Sequence, residues 1–347
     1  MIVVNHLQGQ LVFSSGRFGR TDIWNLDLNT GEKSQITSSN SSNEKPCLSP
    51  DGRWITYTSN RTGFLEIYKA CSNGIEEFQL TNLNRWCDSP RYSPDGSKIA
   101  FVSYESGNNE IWVMDSDGSN RKQMTESSAT DAHIDWTPDG AGLVFSSKGS
   151  SGLSRICYFD LKSEVQTELV GSPYSDFNPI CSPDGLFIAF VSNRNHDDNR
   201  EHQADVWIMR SDGEKPVRLT ESQACDASIC WSPCGRMIMY VSQNDYSSCH
   251  LRLLDVSELM EAYLQNDEGA INTSASLLRN ENLDKFRREL PQHSHCHTSV
   301  LPQFLPEQWV ASNYPPGYFG LERFPHWVNP LPTHSCSAAA ENSVAAM

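Results

Sequence analysis

The sequence predicts an all-β fold: a six-bladed β-propeller of four-stranded antiparallel blades, followed by an irregular C-terminal extension. Two markers carry this reading. Ser49-Pro50-Asp51-Gly52 recurs as Ser93-Pro94-Asp95-Gly96, Thr137-Pro138-Asp139-Gly140, Ser182-Pro183-Asp184-Gly185 and Ser232-Pro233-Cys234-Gly235, at steps of 44, 44, 45 and 50 residues. Thr37, Thr81, Thr125, Val170 and Thr220 each end a short β-rich run and keep the same step. Self-similarity of this period is the signature of propeller blades.

Each element of the repeat follows from its residues. In the unit around residues 89–125, Arg91-Tyr92-Ser93 reads as a first strand. Pro94-Asp95-Gly96 then supplies a tight turn, because Pro fixes φ, Asp bonds its own backbone and Gly accepts a positive φ. Lys98 to Ser103 is a β-rich second strand and Glu110 to Asp115 a third. Asp117-Gly118 signals a hairpin, and Lys122 to Thr125 forms the fourth strand.

Six units can be counted. The first covers Gln10 to Thr37 without a clear inner strand, and the sixth lacks its fourth strand. An unpaired edge invites aggregation, so the ring needs a closing strand. Ile2-Val3-Val4-Asn5 and Phe324-Pro325-His326-Trp327 compete for that role, with the balance toward the tail. The expected division is a propeller over 1–257, a helical and polar linker over 258–289, a Pro- and aromatic-rich segment over 290–332 and a disordered tail over 333–347. Leu259, Met260, Tyr263 and Leu264 sit at helical spacing within the linker. Residues 282–290 are read as a second short helix.

The motif set Ser-Pro-Asp-Gly, Ile-Ala-Phe-Val-Ser (residues 99–103), Glu-Ile-Trp-Val-Met-Asp (residues 110–115) and Leu-Thr resembles the WD-like repeat of TolB-type propellers, over about residues 8–257. The resemblance implies the fold. For function it implies a broad range, since such repeats occur in secreted scaffolds, in regulatory domains of peptidases and in sugar lyases.

Composition narrows the classes. A formal charge of −16 argues against nucleic acid and favours cationic partners. No run approaches the ~20 apolar residues of a membrane span. Eleven cysteines without CxxC pairs suit a reducing compartment. The expected location is therefore the cytoplasm, with the periplasm as the alternative if the chain begins earlier. No GxSxG, P-loop or HExxH motif is present.

Candidate binding residues come from the repeat geometry. In an antiparallel blade, alternate connections fall on opposite faces, so the loops leading into each blade share one rim with those between its second and third strands. Seven residues before the repeat proline stand Asn43, Cys87, Asp131, Asp176 and Asp226, with Asp88 one step away. Carboxylates gathered at one channel mouth would bind a cation or a basic side chain; the competing reading is that each Asp bonds within its own blade. His133, just after Asp131, would add a nitrogen ligand to that mouth, and the competing reading is a plain inner-strand histidine. The longer loop of blade five contributes His196, Asp197, Asp198 and His202. Asp22, Glu66, Glu110 and Asp205, which open third strands, are expected to form local ion pairs with Arg17, Arg61 and Arg194. His293-Ser294-His295-Cys296-His297 is dense in metal-ligand types but has no second ligand pair.

These features favour a monomeric, non-catalytic scaffold that binds a protein or peptide, preferably basic, through its acidic lead-in face. It needs no cofactor, though a divalent cation would fit the channel. The alternative is a metal-dependent lyase or hydrolase acting on acidic sugars.

Overall fold

A computed structural model describes residues 10–17, 20–27, 30–194, 204–221, 224–245 and 248–281. They form six antiparallel sheets in chain order. Blade one has β1 (Gln10–Arg17), β2 (Arg20–Asp27) and β3 (Lys33–Gln35). Blade two has β4 (Asn43–Leu48), β5 (Trp54–Ser59), β6 (Glu66–Cys71) and β7 (Glu77–Gln79). Blade three has β8 (Cys87–Tyr92), β9 (Lys98–Ser103), β10 (Glu110–Asp115) and β11 (Lys122–Gln123). Blade four has β12 (Thr130–Trp136), β13 (Gly142–Lys148), β14 (Ser154–Asp160) and β15 (Val165–Glu168). Blade five has β16 (Asp176–Cys181), β17 (Phe187–Ser192), β18 (Asp205–Arg210) and β19 (Val217–Arg218). Blade six has β20 (Cys225–Trp231), β21 (Met237–Asp245) and β22 (Ser248–Asp255), followed by α1 (Ser257–Leu264) and α2 (Glu268–Glu281).

This is the six-bladed propeller that the repeat predicts. By the repeat register, β1 to β3 match the second to fourth strands of the other blades, and β20 to β22 match the first to third. Among the described residues, blade one thus lacks an inner strand and blade six an outer one. The two segments expected to close the ring, 2–5 and 324–327, lie outside the described residues, as do 290–347 and the short helix expected over 282–290.

The core lies between blades. Along β17, Ile188 and Phe190 pack with Val144 and Ile156 of blade four, whereas Ala189 and Val191 pack with Ile238 and Tyr240 of blade six. A period-two strand sandwiched between neighbours buries both faces, so it reads as a continuous apolar run. The same division joins blades one and two through Ile23 and Tyr57, two and three through Ile67 and Phe101, and three and four through Ile111 and Phe145.

The Ser-Pro-Asp-Gly motif is a self-closing turn. Ser49 Oγ donates to Asp51 at 2.5 Å and accepts from the Trp54 amide at 2.9 Å, while the Gly52 amide donates to the Ser49 carbonyl at 2.9 Å. Ser93, Thr137 and Ser182 repeat the hydroxyl–carboxylate bond to Asp95, Asp139 and Asp184 at 2.5–2.7 Å. Cys234 replaces the carboxylate in blade six and lies 3.3 Å from Ser232 Oγ.

Two expectations need correction. The inner strand of blade three begins at Cys87, not Arg91, and each inner strand carries a bulge between Glu44/Cys47, Asp88/Arg91, Ala132/Asp135, Phe177/Ile180 or Ala227/Cys230. Pro46, Pro90 and Pro179 stand inside these bulges, where no ladder bond is required of them, so a residue that normally argues against a strand is accommodated. The polar stretch after α1, read as linker, forms α2, which buries Ile271 and Ala275 against blades five and six.

Candidate functional site

The residues seven before the repeat proline open the inner strands rather than sitting in loops. Each faces a serine at the end of the second strand: Asn43 opposite Ser59, Cys87 opposite Ser103, Asp131 opposite Ser147, Asp176 opposite Ser192 and Asp226 opposite Ser242. Asp131, Asp176 and Asp226 are 0% exposed. Ser147 donates to Asp131 at 2.6 Å, and Arg194 donates to Asp176 at 2.6 Å. The Asp226 amide donates to the Ala204 carbonyl at 2.8 Å. All three carboxylates lie within the wheel, and Ser147 and Arg194 bond Asp131 and Asp176 from the same blades.

In blades one to three, a second repeated unit ties the third strand to the chain leaving the fourth strand of its own blade. Thr81 Oγ1 donates to Glu66 at 2.5 Å and accepts from the Ile67 amide at 2.8 Å. Thr125 does the same with Glu110 at 2.7 Å and the Ile111 amide at 2.9 Å, and Thr37 with Asp22 and Ile23, both at 2.9 Å. Glu66 also accepts the Leu83 and Asn84 amides. The arginines of the adjoining loops pair elsewhere: Arg61 with Glu77 and Arg194 with Asp176, while Asp205 pairs with Arg218 at 2.7 Å. The third-strand acids are therefore anchors between strands, tied by the threonine that marks the repeat.

Glu110 and Asp131 meet at the seam of blades three and four. Burial pushes the Asp131 carboxyl up to about 7; Ser147 and Thr125 pull it down and Glu110 pushes it further up.

Asp88 and His133 belong to the inner wall. Asp88 accepts from Lys45 Nζ of blade two at 2.5 Å, from Thr58 at 3.0 Å and from the Ser89 amide at 2.7 Å. His133 sits at the bulge with φ 52°, its ring 6.3 Å from that of Phe177 on blade five. Burial, then Lys45, hold its imidazole down to about 3, so it is neutral at pH 7. Its Nδ1 is buried without a hydrogen bond. His196, Asp197, Asp198 and His202 lie outside the described residues, as does the His293–His297 cluster. Among the described residues, no three His, Cys, Asp or Glu side chains come together as a metal-holding group.

The profile of the TolB beta propeller domain matches residues 74–276, more than half of the chain. The chain belongs to this family. TolB from Acinetobacter baumannii superposes with a TM-score of 0.61 at 23% identity, covering 71% of this chain and 61% of that one. A putative TolB from Agrobacterium tumefaciens gives 0.59 at 24% identity, covering 71% and 86%. These likenesses are of fold. An uncharacterized protein of Agrobacterium fabrum is 34% identical over 97 residues, 28% of this chain and 31% of that protein. The chain thus spans about a third of the curated relative it matches.

In this TolB-type propeller the channel wall also holds residues that sequence reasoning missed. Three positions before the repeat proline stand Cys47, Arg91, Asp135, Ile180 and Cys230. The Tyr92 amide donates to Cys47 Sγ at 3.4 Å and the Cys181 amide to Asp135 Oδ2 at 2.9 Å, so these side chains reach from one inner strand to the next. Burial pushes Asp135 up to about 6, against the Cys181 amide and the charge of Arg91. Burial also raises the Glu44 carboxyl, against its bond from Ser42. The available signal was the register itself: chemically unlike residues at one inner position, where the turn residues are uniform.

Proposed function

We propose that the chain is a non-catalytic propeller scaffold that binds a basic protein or peptide through the face bearing its lead-in loops and its second-to-third-strand loops. The observation that carries this reading is the contrast between the two faces. The turn face repeats one closed structure, in which Gly96, Gly140, Gly185 and Gly235 each pack on the repeat proline of the preceding blade. A surface alike in every blade offers a partner little to discriminate. The opposite face varies from blade to blade, exposing Phe64, Glu105, Glu126 and Tyr174, and loops on a rigid frame are where recognition commonly resides. Asp88 and His133 are its contributions from the inner wall. In sequence, His196, Asp197, Asp198 and His202 fall between β17 and β18. The charge of −16 supports a cationic partner through steering of the encounter.

The reading is tested by selecting a random peptide library on the immobilised chain. Recovered peptides are expected to be rich in Lys and Arg, and to bind the Glu105→Lys/Glu126→Lys variant at least about tenfold more weakly, a loss of ~1.4 kcal/mol. Selection of uncharged peptides, or binding that responds only to changes at the turns, would refute it.

A further inference from the structure

Arg91 is a half-buried residue of β8, the inner strand of blade three. Its charge acts on Cys47 of blade two, on His133 and Asp135 of blade four and on Cys230 of blade six. In a six-bladed ring, blades three and six stand opposite one another. A blade-three side chain within electrostatic reach of both neighbours and of the opposite blade extends toward the axis.

Its partners do not exhaust it. Nη1 donates to the Pro90 carbonyl at 3.1 Å; among the described residues, Arg91 makes no other hydrogen bond and no ion pair. The carboxylates nearby are committed: Asp88 to Lys45, Thr58 and the Ser89 amide, and Asp135 to the Cys181 amide. His133, on the adjoining blade, keeps Nδ1 buried and unbonded. A guanidinium carries five N–H donors in one plane, and none of those of Arg91 is a buried unbonded atom, so they stay open to whatever enters the channel. The group that satisfies such a fork is a planar or tetrahedral oxyanion held by two parallel bonds.

We propose that the propeller channel contains a binding site for the oxyanion group of a small ligand, a carboxylate or phosphate, gripped by Arg91 with His133 as the second donor. The site shares His133 with the lead-in face of the proposed function but takes the opposite charge.

Calorimetric titration of the full chain with sodium phosphate and with sodium acetate, against sodium chloride at equal ionic strength, tests the proposal. Saturable binding of phosphate assigns a phosphate site, and saturable binding of acetate a carboxylate site. Arg91→Lys, which keeps the charge but loses the fork, is expected to weaken binding about tenfold, and His133→Phe to weaken it less. Since these variants could unfold the wheel, a second readout uses the unmodified chain: the bound anion should slow phenylglyoxal modification of Arg91 about tenfold, followed by peptide mass spectrometry, if occupancy is near 90%. Absence of saturation by either anion in the millimolar range, unchanged affinity in a folded Arg91→Lys protein, or an Arg91 that saturating anion leaves unprotected would each overturn it.

Discussion

Asp131 shows how a single buried carboxyl sets a pH dependence. Its pKa is raised from the ordinary 3.8 to about 7, first by burial and last by Glu110. The folded chain therefore holds this proton more tightly than the unfolded one. The site's stabilising contribution is complete below about pH 4 and is lost as pH rises toward 7. Asp131→Asn keeps an acceptor for Ser147 and places an amide donor against Glu110. The variant should be more stable than the parent at pH 7 by about 1–2 kcal/mol and should lack the parent's decline between pH 4 and 7. Urea midpoints across that range measure it, and equal slopes in the two proteins would refute the assignment. The distance of Asp131, Asp176 and Asp226 from the repeat proline is legible in sequence. Their depth is not, because spacing fixes where a residue lies along the strand and not how far inside the wheel it sits. The bulge adds to the difficulty. Lys45, Ser89, His133, Asn178 and Ser228 all take φ near 50° without being glycine, so simple alternation misassigns what the inner strand points at the channel.

The strand elements follow the same division. The Ser-Pro-Asp-Gly turn is predictable because its bonds are local, whereas the inner-strand starts were obscured by prolines whose place depends on a neighbouring strand. Turn packing yields a paired prediction. Gly213, in the β18–β19 turn, has φ +88°, and a Cβ there would lie 2.2 Å from the Leu169 carbonyl oxygen of the preceding blade. Gly31, in the matching turn of blade one, has φ +74° with nothing within 4 Å of its Cβ position. Alanine at either position incurs the left-handed backbone cost of roughly 1–2 kcal/mol. Only Gly213→Ala adds a clash with backbone, which raises its cost by a further ~1–3 kcal/mol. Thermal unfolding of both variants checks this; equal losses would mean that the blade-four contact does not constrain the turn.

For the whole molecule, the count of blades was legible because it rests on a period, while the helical pair after blade six was only half legible. Leu259 and Tyr263 give α1 a visible apolar stripe, whereas among the described side chains of α2 only Ile271 and Ala275 are fully buried, in a polar sequence. Its place is set by the surface it covers. The two helices extend the apolar cluster of blades five and six, adding Val256, Leu259, Ala262, Tyr263, Ile271 and Ala275 to Phe187, Ile238 and Leu254. Tyr263 is the link: its ring lies 5.3 Å from that of Phe187, edge to face, and its hydroxyl donates to the Lys215 carbonyl at 2.6 Å. If the helices are part of the wheel, Tyr263→Phe should cost about 1 kcal/mol for the hydrogen bond and Tyr263→Ala about 3–5 kcal/mol for the ring. Both variants should unfold in one transition with the blades. Loss of helical signal ahead of the β-sheet signal in the parent chain would show instead that the helices fold as a separate unit, and the alanine variant would then leave the blade transition where it was.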